Sequence, residues 1–169
     1  MYNITKLNEA AARLVSNHQT VAVAESVTAG LVQNAFSMAE NATAFFEGGI
    51  TAYNFSQKCT QLFIDPVHAI ECNCVSQRVA EEMALGVSKS FNSSWGVGIT
   101  GYSSPAPELK VDRLYACIAV SFAGKIINNK IIFAEKESPQ KVQAFFRDAL
   151  LDLVTEYWMG LPSPAFNLS

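Results

Sequence analysis

The stretch Val21-Ala-Val-Ala-Glu-Ser-Val-Thr-Ala-Gly30 predicts a change from strand to helix. Its first four residues are apolar, with valines at a period of two, which is typical of a short buried strand. The strand is expected to end at Glu25-Ser26, because apolar residues recur at helical spacing from position 31 to position 36. A buried strand followed directly by a helix is therefore predicted.

Ser26 lies at the predicted bend, and its position allows two interpretations. Ser26 and Thr28 are both good N-caps for the helix, and capping serines are far more common than catalytic ones. A serine at such a bend is also close to unpaired backbone N–H groups and to the positive end of a helix dipole. Those surroundings suit a nucleophile whose reaction develops an oxyanion, or a loop that binds an anion.

The composition predicts one globular domain over residues 1–169, with residues 158–169 as a tail extension. Half of the residues are hydrophobic and 16% are charged, which argues against disorder. The net charge of −3 and the pI near 5.4 argue against a nucleic-acid partner, which would require clustered Lys and Arg. The chain opens with no signal-peptide pattern and has no uncharged run long enough to span a bilayer, so we expect a cytoplasmic protein without a membrane partner.

The four cysteines are predicted to be reduced and mostly structural. His68, Cys72 and Cys74 are close in sequence and would be the candidates for a metal site. Their spacing matches no common zinc pattern, and a second pair of ligands is missing. We therefore expect no metal and no cofactor.

The remainder of the chain is predicted to alternate helices with strands. Helices are predicted at 4–15, with Asn3 as a cap, at 28–37, at 55–63 and after the capping residue Ser76. Strands are predicted at 45–53, 94–100, 114–122 and 125–134, with a bulge or close backbone approach at Gly48-Gly49. The last two strands form a hairpin over Ala123-Gly124, although Asn128-Asn129 is a competing turn.

A last helix is predicted to open at Ser138-Pro139 and to end at Gly160. Its predicted buried stripe is Val142, Phe145, Phe146, Ala149, Leu150, Leu153 and Val154. The complete pattern predicts an α/β fold whose mixed sheet is covered by helices on both faces. Ligands of such sheets bind beyond the strand ends, where Ser26, Tyr53 and Gly101 are placed.

Tyr53 and Lys58 form a second candidate site. Tyr53 ends its strand, and Lys58 falls in the first turn of a helix for which Asn54 and Gln57 form a variant capping box. A helix N-terminus disfavours an ammonium and lowers the pKa of the lysine, so that a partly dry site would supply a neutral general base. A serine activated by a lysine is a workable acyl-transfer centre. From the residues alone, the other interpretation of Lys58 is a solvated surface lysine.

Four ordered motifs resemble one known family. The motifs are Ala24-Glu-Ser-Val-Thr-Ala-Gly30, Phe46-Glu-Gly-Gly-Ile-Thr-Ala-Tyr-Asn-Phe-Ser-Gln-Lys58, Val75-Ser-Gln-Arg-Val-Ala-Glu-Glu-Met-Ala84 and Gly98-Ile-Thr-Gly101. Together they resemble the CinA C-terminal family, which comprises nicotinamide mononucleotide deamidases that are also labelled competence- or damage-inducible proteins. The resemblance extends from the first helix to about Val154.

The resemblance implies a three-layer α/β/α sandwich with a mixed, mainly parallel sheet and one antiparallel hairpin. It implies an amidohydrolase of pyridine nucleotide salvage, which converts nicotinamide mononucleotide to nicotinic acid mononucleotide and ammonia without a metal. The catalytic residues would be Ser26 as nucleophile with Lys58 and Tyr53 activating it. The substrate-binding residues would be Val27, Thr28, Gly30, Gly49, Thr100, Gly101 and Arg147. Arg147 lies off the apolar stripe, so it is either solvated or directed at a phosphate.

The chain departs from the family pattern around the expected substrate cradle. The family usually has Glu-Ser-Cys-Thr-Gly-Gly, whereas Val27 and Ala29 stand here. A glycine-rich loop is replaced by Gly101-Tyr-Ser-Ser-Pro-Ala-Pro107, and Asp112 adds a negative charge nearby. Two hypotheses compete: a deamidase with altered substrate choice, or a paralogue without turnover that acts as a nucleotide-binding or protein-interaction module. The retained serine, tyrosine and lysine place turnover ahead.

The high apolar fraction also predicts a homo-oligomer, a dimer or higher. The apolar, proline-containing segment from Trp158 to Asn167 either covers a partner subunit or folds back on its own sheet. The expected partner besides a second copy is a small-molecule nucleotide substrate.

Overall fold

A five-stranded mixed sheet forms the centre of the structure, a computed structural model that describes residues 1–163. The spatial order is β2-β1-β3-β4-β5. The strands are β1 (Val21–Glu25), β2 (Phe46–Thr51), β3 (Trp95–Tyr102), β4 (Leu114–Phe122) and β5 (Lys125–Ala134). β2, β1 and β3 pair in parallel, and β4 runs antiparallel to both β3 and β5. The sheet is therefore mixed, with a parallel centre, as predicted.

Helices cover both faces of this sheet, which confirms the three-layer α/β/α sandwich. One layer contains α1 (Ile4–Ser16), α2 (Leu31–Ser37), α3 (Ala42–Phe45) and α7 (Pro139–Met159). The other layer contains α4 (Phe55–Leu62), α5 (Pro66–Glu71) and α6 (Gln77–Phe91). Alternation along β1 sends its two valines to the first layer and its two alanines to the second, so all of β1 is buried.

The contact between α6 and β3 is unusually close because glycines line it. A Cβ built on Gly98 would lie 2.3 Å from the carbonyl oxygen of Ala80, and one built on Gly96 would lie 2.0 Å from that of Ala84. Neither position has room for any side chain. Backbone of the helix therefore rests directly on backbone of the strand.

Most of the predicted elements lie where the sequence pattern places them. Asn3, Asn54 and Ser76 cap α1, α4 and α6 through their side chains. The hairpin turns at Ala123-Gly124, as predicted. The alternative prediction of a turn at Asn128-Asn129 is wrong, because both asparagines lie within β5. The bulge is confirmed, since the pairing of β1 with β2 slips between Val21 and Ala22 and Gly48 has a positive φ of 122°.

Three local predictions need correction. The short helices α3 and α5 were not predicted, and α5 begins at Pro66 with Asp65 as its N-cap. Phe145 was expected in the buried stripe of α7 but is 46% exposed, whereas Phe146 is fully buried. Trp158, placed in the tail by the sequence, is a buried residue of α7, and residues 164–169 lie outside the described part of the chain.

The N-terminus of α2 is bound by Glu25, and neither Ser26 nor Thr28 caps it as predicted. The Glu25 side chain is fully buried at the end of β1. Its carboxylate accepts hydrogen bonds from the hydroxyl of Thr28 (2.5 Å) and from the backbone N–H groups of Gly30 (3.1 Å), Val32 (3.1 Å) and Gln33 (2.8 Å). These donors, and the positive end of the helix dipole, compensate the burial of a carboxylate.

No helix within residues 1–163 has both the length and the apolar character that crossing a membrane requires.

Glu25→Gln is expected to lower the free energy of unfolding by about 2–4 kcal/mol, because an amide brings two N–H groups into a site that consists of donors. Urea unfolding followed by circular dichroism measures the loss. The control is Glu9→Gln on the exposed face of α1, which should change stability by less than about 0.5 kcal/mol. Equal effects of the two substitutions would contradict the capping role of Glu25.

Gly98→Ala is expected to lower the free energy of unfolding by about 1–3 kcal/mol, because its methyl group would overlap α6 backbone that has no free space to move into. Gly124→Asn is the control, since no atom lies within 4 Å of a Cβ there and asparagine tolerates its positive φ of 74°. Thermal unfolding of both variants measures the difference, and a Gly98→Ala protein as stable as the control would refute the close contact.

Candidate active site

A pocket of about 320 Å³ lies beyond the carboxyl ends of the parallel strands. It is lined by the bend after β1, the segment between β2 and α4, the connection before α6 and the loop after β3. The lining residues are Ser26, Val27, Tyr53, Lys58, Asn73, Val75, Gly101, Tyr102, Ser103, Ser104, Pro105 and Ala106. The pocket therefore occupies the place where α/β sheets of this kind bind ligands.

Ser26, Tyr53 and Lys58 all line this pocket. Ser26 is 6% exposed, and its N–H donates to the carbonyl oxygen of Ile99 at 3.0 Å, which fixes the bend against β3. Tyr53 lies at the rim, 66% exposed. The topology explains this convergence, because β1 is paired on its two sides with β2 and β3.

Lys58 is 4% exposed, so it is a buried lysine and not the solvated one that residue statistics favour. The Asn54 side chain, which accepts from the N–H of Gln57 at 2.9 Å, sets the start of α4 one turn before Lys58. The Lys58 ammonium nitrogen Nζ lies 3.4 Å from the hydroxyl of Thr100. That hydroxyl donates in turn to the carbonyl oxygen of Cys74 at 3.0 Å, so its lone pairs remain for the lysine.

Burial lowers the pKa of Lys58, because the charged ammonium loses its hydration. Thiolates at Cys74, Cys72 and Cys59 would act in the opposite direction. Burial, however, raises the pKa of the Cys59 and Cys74 thiols, which are therefore neutral near pH 7. The loss of hydration is therefore the main influence on the pKa of Lys58. Within residues 1–163, Lys58 also forms no salt bridge that would stabilise its charged form.

Two backbone N–H groups remain available beside Ser26. Within the described residues, the N–H groups of Val27 and Thr28 have no acceptor, whereas Ala29 donates to the carbonyl oxygen of Ser26 at 3.1 Å. Glu25 already occupies the N–H groups of α2. Ala29 has a φ of 50°, so the bend keeps a left-handed residue although a glycine of the resembled family is replaced.

The other residues proposed for substrate binding divide into two groups. Val27 and Gly101 line the pocket, and the Thr100 hydroxyl lies within hydrogen-bond distance of the Lys58 amine. Thr28 and Gly30 instead bind Glu25. Gly49 lies inside β2, where a Cβ would lie 2.4 Å from the carbonyl oxygen of Val23.

Arg147 lies on α7, in the layer opposite to α4. Its guanidinium pairs with the neighbouring Asp148, at 2.7 Å from Nη2 and 2.8 Å from Nε, and lies 5.0 Å from the centre of the Tyr2 ring. The structure therefore does not bring Arg147 to the pocket.

The sequence did not single out several lining residues, of which Asn73 and Tyr102 are the most specific. The side-chain amide of Asn73 donates to the hydroxyl of Tyr102 at 3.0 Å and joins the segment before α6 to the loop after β3. Asn73 has a φ of 50°, a conformation that asparagine tolerates better than most residues. In the sequence, Asn73 is recognisable only as an asparagine between two cysteines, and that pattern does not predict a pocket residue.

Chemically, the pocket combines a nearly buried hydroxyl, a buried amine, a phenol at the rim and a lining residue, Val27, whose N–H has no acceptor within residues 1–163. This set suits the attack of a hydroxyl on an acyl carbon, with stabilisation of the resulting oxyanion. Among residues 1–163, no three side chains of His, Cys, Asp or Glu lie close enough to hold a metal ion. All four cysteines are free thiols.

Comparisons with known proteins agree with this architecture. The chain is 36% identical over 131 residues to a CinA-like protein of Prochlorococcus marinus, covering 76% of this chain and 30% of that protein. It is 33% identical over 144 residues to a CinA-like protein of Thermosynechococcus vestitus, covering 83% of this chain and 34% of that protein. The chain thus spans about a third of the length of these curated relatives.

The fold is also that of solved structures. A competence-damaged protein (CinA) superfamily protein from Enterobacter cloacae superimposes with a TM-score of 0.83 at 21% identity, over 94% of each chain. One from Escherichia coli superimposes with a TM-score of 0.78 at 24% identity, over 91% of this chain and 90% of that one. The CinA C-terminal domain family matches residues 4–157, and the chain belongs to that family.

Proposed function

We propose that the chain hydrolyses a small primary carboxamide, with Ser26 as nucleophile and Lys58 as general base. The observation that carries the proposal is that Ser26 and a buried Lys58 line one pocket. Nicotinamide mononucleotide is the substrate that the family resemblance implies, and its products would be nicotinic acid mononucleotide and ammonia. Such a reaction belongs to pyridine nucleotide salvage.

In the first half of the proposed reaction, neutral Lys58 removes the proton of the Ser26 hydroxyl while the serine oxygen attacks the carboxamide carbon. The backbone N–H groups of Val27 and Thr28 stabilise the negative carbonyl oxygen of the tetrahedral intermediate. Lys58, now an ammonium, returns its proton to the leaving nitrogen. Ammonia departs and an ester of Ser26 remains.

In the second half, Lys58 removes a proton from water, which attacks the ester carbon. The carboxylic acid product is released and the Ser26 hydroxyl regains its proton. The Thr100 hydroxyl holds the lysine in place throughout, because its own hydrogen is engaged by the carbonyl oxygen of Cys74. In the proposed reaction, Tyr53 has the role of orienting the serine and the lysine once a substrate is bound, because the tyrosine lies at the rim and its hydroxyl has no hydrogen-bond partner within residues 1–163.

The alternative is a protein that binds a nucleotide or a partner without turnover. The loop after β3 favours this alternative. Pro107–Leu109 form a 3₁₀ turn and Ala106 pairs with Val111, whereas the resembled family has glycines there, which let a ligand approach the backbone closely. The retained pocket of about 320 Å³ is compatible with both functions. Buried Lys58 favours turnover, because burial lowers its pKa and so favours the neutral amine that a general base requires.

Ser26→Ala and Lys58→Met are each expected to reduce ammonia release from nicotinamide mononucleotide by at least about 1,000-fold, because each removes one partner of the proton transfer. The controls are Ser37→Ala and Lys89→Met, which alter an exposed serine and an exposed lysine on the surface and should retain activity. A coupled ammonia assay measures all five proteins. Unchanged activity in Ser26→Ala would remove the mechanism, and an inactive wild type would favour the binding function.

The pH dependence of kcat/KM should reveal the lowered pKa of Lys58. The base must be neutral, so activity is expected to rise with pH through the Lys58 pKa and then level off, with the inflection below the ordinary lysine value of 10.5. ¹⁵N NMR of the lysine amine, with Lys58→Met to assign its signal, measures the pKa directly. An Nζ that titrates at its ordinary value would contradict the assignment of Lys58 as the base.

A further inference from the structure

The outer part of the pocket consists of neutral hydrogen-bonding side chains. The two groups of the proposed reaction, Ser26 and Lys58, are almost fully buried. The other polar lining residues are exposed or half-buried and carry hydroxyls and one amide: Tyr53, Asn73, Tyr102, Ser103 and Ser104. A ligand whose carboxamide reaches Ser26 therefore places its remaining groups against these outer side chains.

Two of these outer side chains are joined to each other. The side-chain amide nitrogen of Asn73 donates to the hydroxyl oxygen of Tyr102 at 3.0 Å. Within residues 1–163, this is the one hydrogen bond that connects two side chains of the pocket lining, and we call the pair the clasp. The clasp joins the connection before α6 to the loop after β3.

The clasp leaves one acceptor and one donor free. Within the described part of the chain, the side-chain oxygen Oδ1 of Asn73 accepts no hydrogen bond, and the Tyr102 hydroxyl donates to no acceptor. Because the Tyr102 oxygen already accepts from Asn73, its hydrogen remains for a further partner. A hydroxyl group both donates and accepts, so an acceptor and a donor side by side match two neighbouring hydroxyls of a ligand.

The Tyr102 side of the clasp is held by aromatic packing. Tyr102 is paired with Tyr115 across β3 and β4, and their rings pack edge to face with 5.7 Å between centres. Tyr115 is paired in turn with Phe133 on β5, at 6.1 Å between ring centres. The hydroxyl of Tyr102 is thus positioned before a ligand arrives, which lowers the entropic cost of binding.

The Asn73 side of the clasp is held by a turn that also supports Lys58. Asn73 and Cys74 have φ values of 50° and 60°, and the N–H of Cys74 donates to the carbonyl oxygen of Ala69 at 2.7 Å. The carbonyl oxygen of Cys74 accepts the Thr100 hydroxyl that lies beside Lys58. The backbone of this turn therefore supports the buried amine, while the side chain of Asn73 reaches the outer part of the pocket.

We propose that the clasp is a specificity-determining contact that binds a vicinal diol, so that the preferred substrate carries its carboxamide on a sugar. This inference rests on the proposed function and deepens it, because it names the group that accompanies the carboxamide at Ser26. A ligand without the diol covers the Asn73 oxygen and the Tyr102 hydroxyl but offers them no partner, which weakens its binding.

The first test is equilibrium binding to the Ser26→Ala protein, in which turnover does not interfere. The ligands are nicotinamide mononucleotide and its 2′,3′-dideoxy analogue, which differ in the diol alone. Isothermal titration calorimetry should give a Kd at least about 10-fold lower for the compound with the diol, because the analogue loses two hydrogen bonds. Equal affinities would overturn the proposal, and so would the failure of both compounds to bind.

Variants of the clasp, made in the same Ser26→Ala protein, provide the second test. Asn73→Gly removes the amide but suits the positive φ, and Tyr102→Phe removes the hydroxyl but keeps the ring. Each should reduce the preference for the diol to less than about 3-fold. The controls are Asn92→Gly, at an exposed asparagine that also has a φ of 50°, and Tyr157→Phe, whose hydroxyl accepts the Asn128 amide at 2.6 Å outside the pocket. A full preference retained in either clasp variant would overturn the proposal.

Hydrolysis separates this inference from the proposed function. With Ser26 intact, Asn73→Gly should raise the KM for nicotinamide mononucleotide by about 10-fold and leave kcat within about 2-fold, because the turn beside Thr100 is retained. A lower kcat with an unchanged KM would overturn the clasp as a binding contact and leave the Ser26 mechanism intact. Ammonia release that does not depend on Ser26 would overturn the proposed function, whereas the diol preference measured by calorimetry would stand.

Discussion

The buried carboxylate of Glu25 is the constraint on which the rest of the site depends. Its side chain binds Thr28 and the first N–H groups of α2, while its carbonyl oxygen accepts the N–H of Ala52, the residue before Tyr53, at 2.9 Å. One residue thus holds both the bend that contains Ser26 and the end of β2. Because the Glu25 side chain is fully buried and accepts four hydrogen bonds, displacing it would leave buried donors without a partner, which is costly. The helix dipole of α2 stabilises Glu25, so in the proposed reaction an oxyanion at Ser26 would rely on the N–H groups of the bend itself.

The substitutions that separate this chain from its family pattern have unequal consequences. Ala29 replaces a glycine yet adopts the left-handed conformation, which costs roughly 1 kcal/mol and preserves the bend. In the loop after β3, side chains from Tyr102 to Ala106 now line the pocket. The first change leaves the bend that contains Ser26 in place. The second changes the wall of the pocket that a ligand would contact.

Periodicity in the sequence predicted much of the fold. The apolar periods of α1, α6 and the β4–β5 hairpin are long enough to place those elements within a residue or two. Helices α3 and α5 have four and six residues, too few to establish a period. The capping of α2 was missed because Glu25 reaches donors five to eight residues later, beyond the local patterns that define caps. Likewise, Lys58 and Ser26 line one pocket because of the sheet order β2-β1-β3, which periodicity in the sequence does not predict.

The direct contact between the backbones of α6 and β3 has a mechanical consequence. Two walls of the pocket continue from these elements: Asn73 and Val75 precede α6, and Tyr102 follows from β3. With no layer of side chains between helix and strand to deform, the two walls belong to a single stiff block. The opposite side of the pocket is open to solvent, because Tyr53 at its rim is 66% exposed. A ligand that enters the site therefore meets a close-packed wall on one side and an exposed tyrosine on the other.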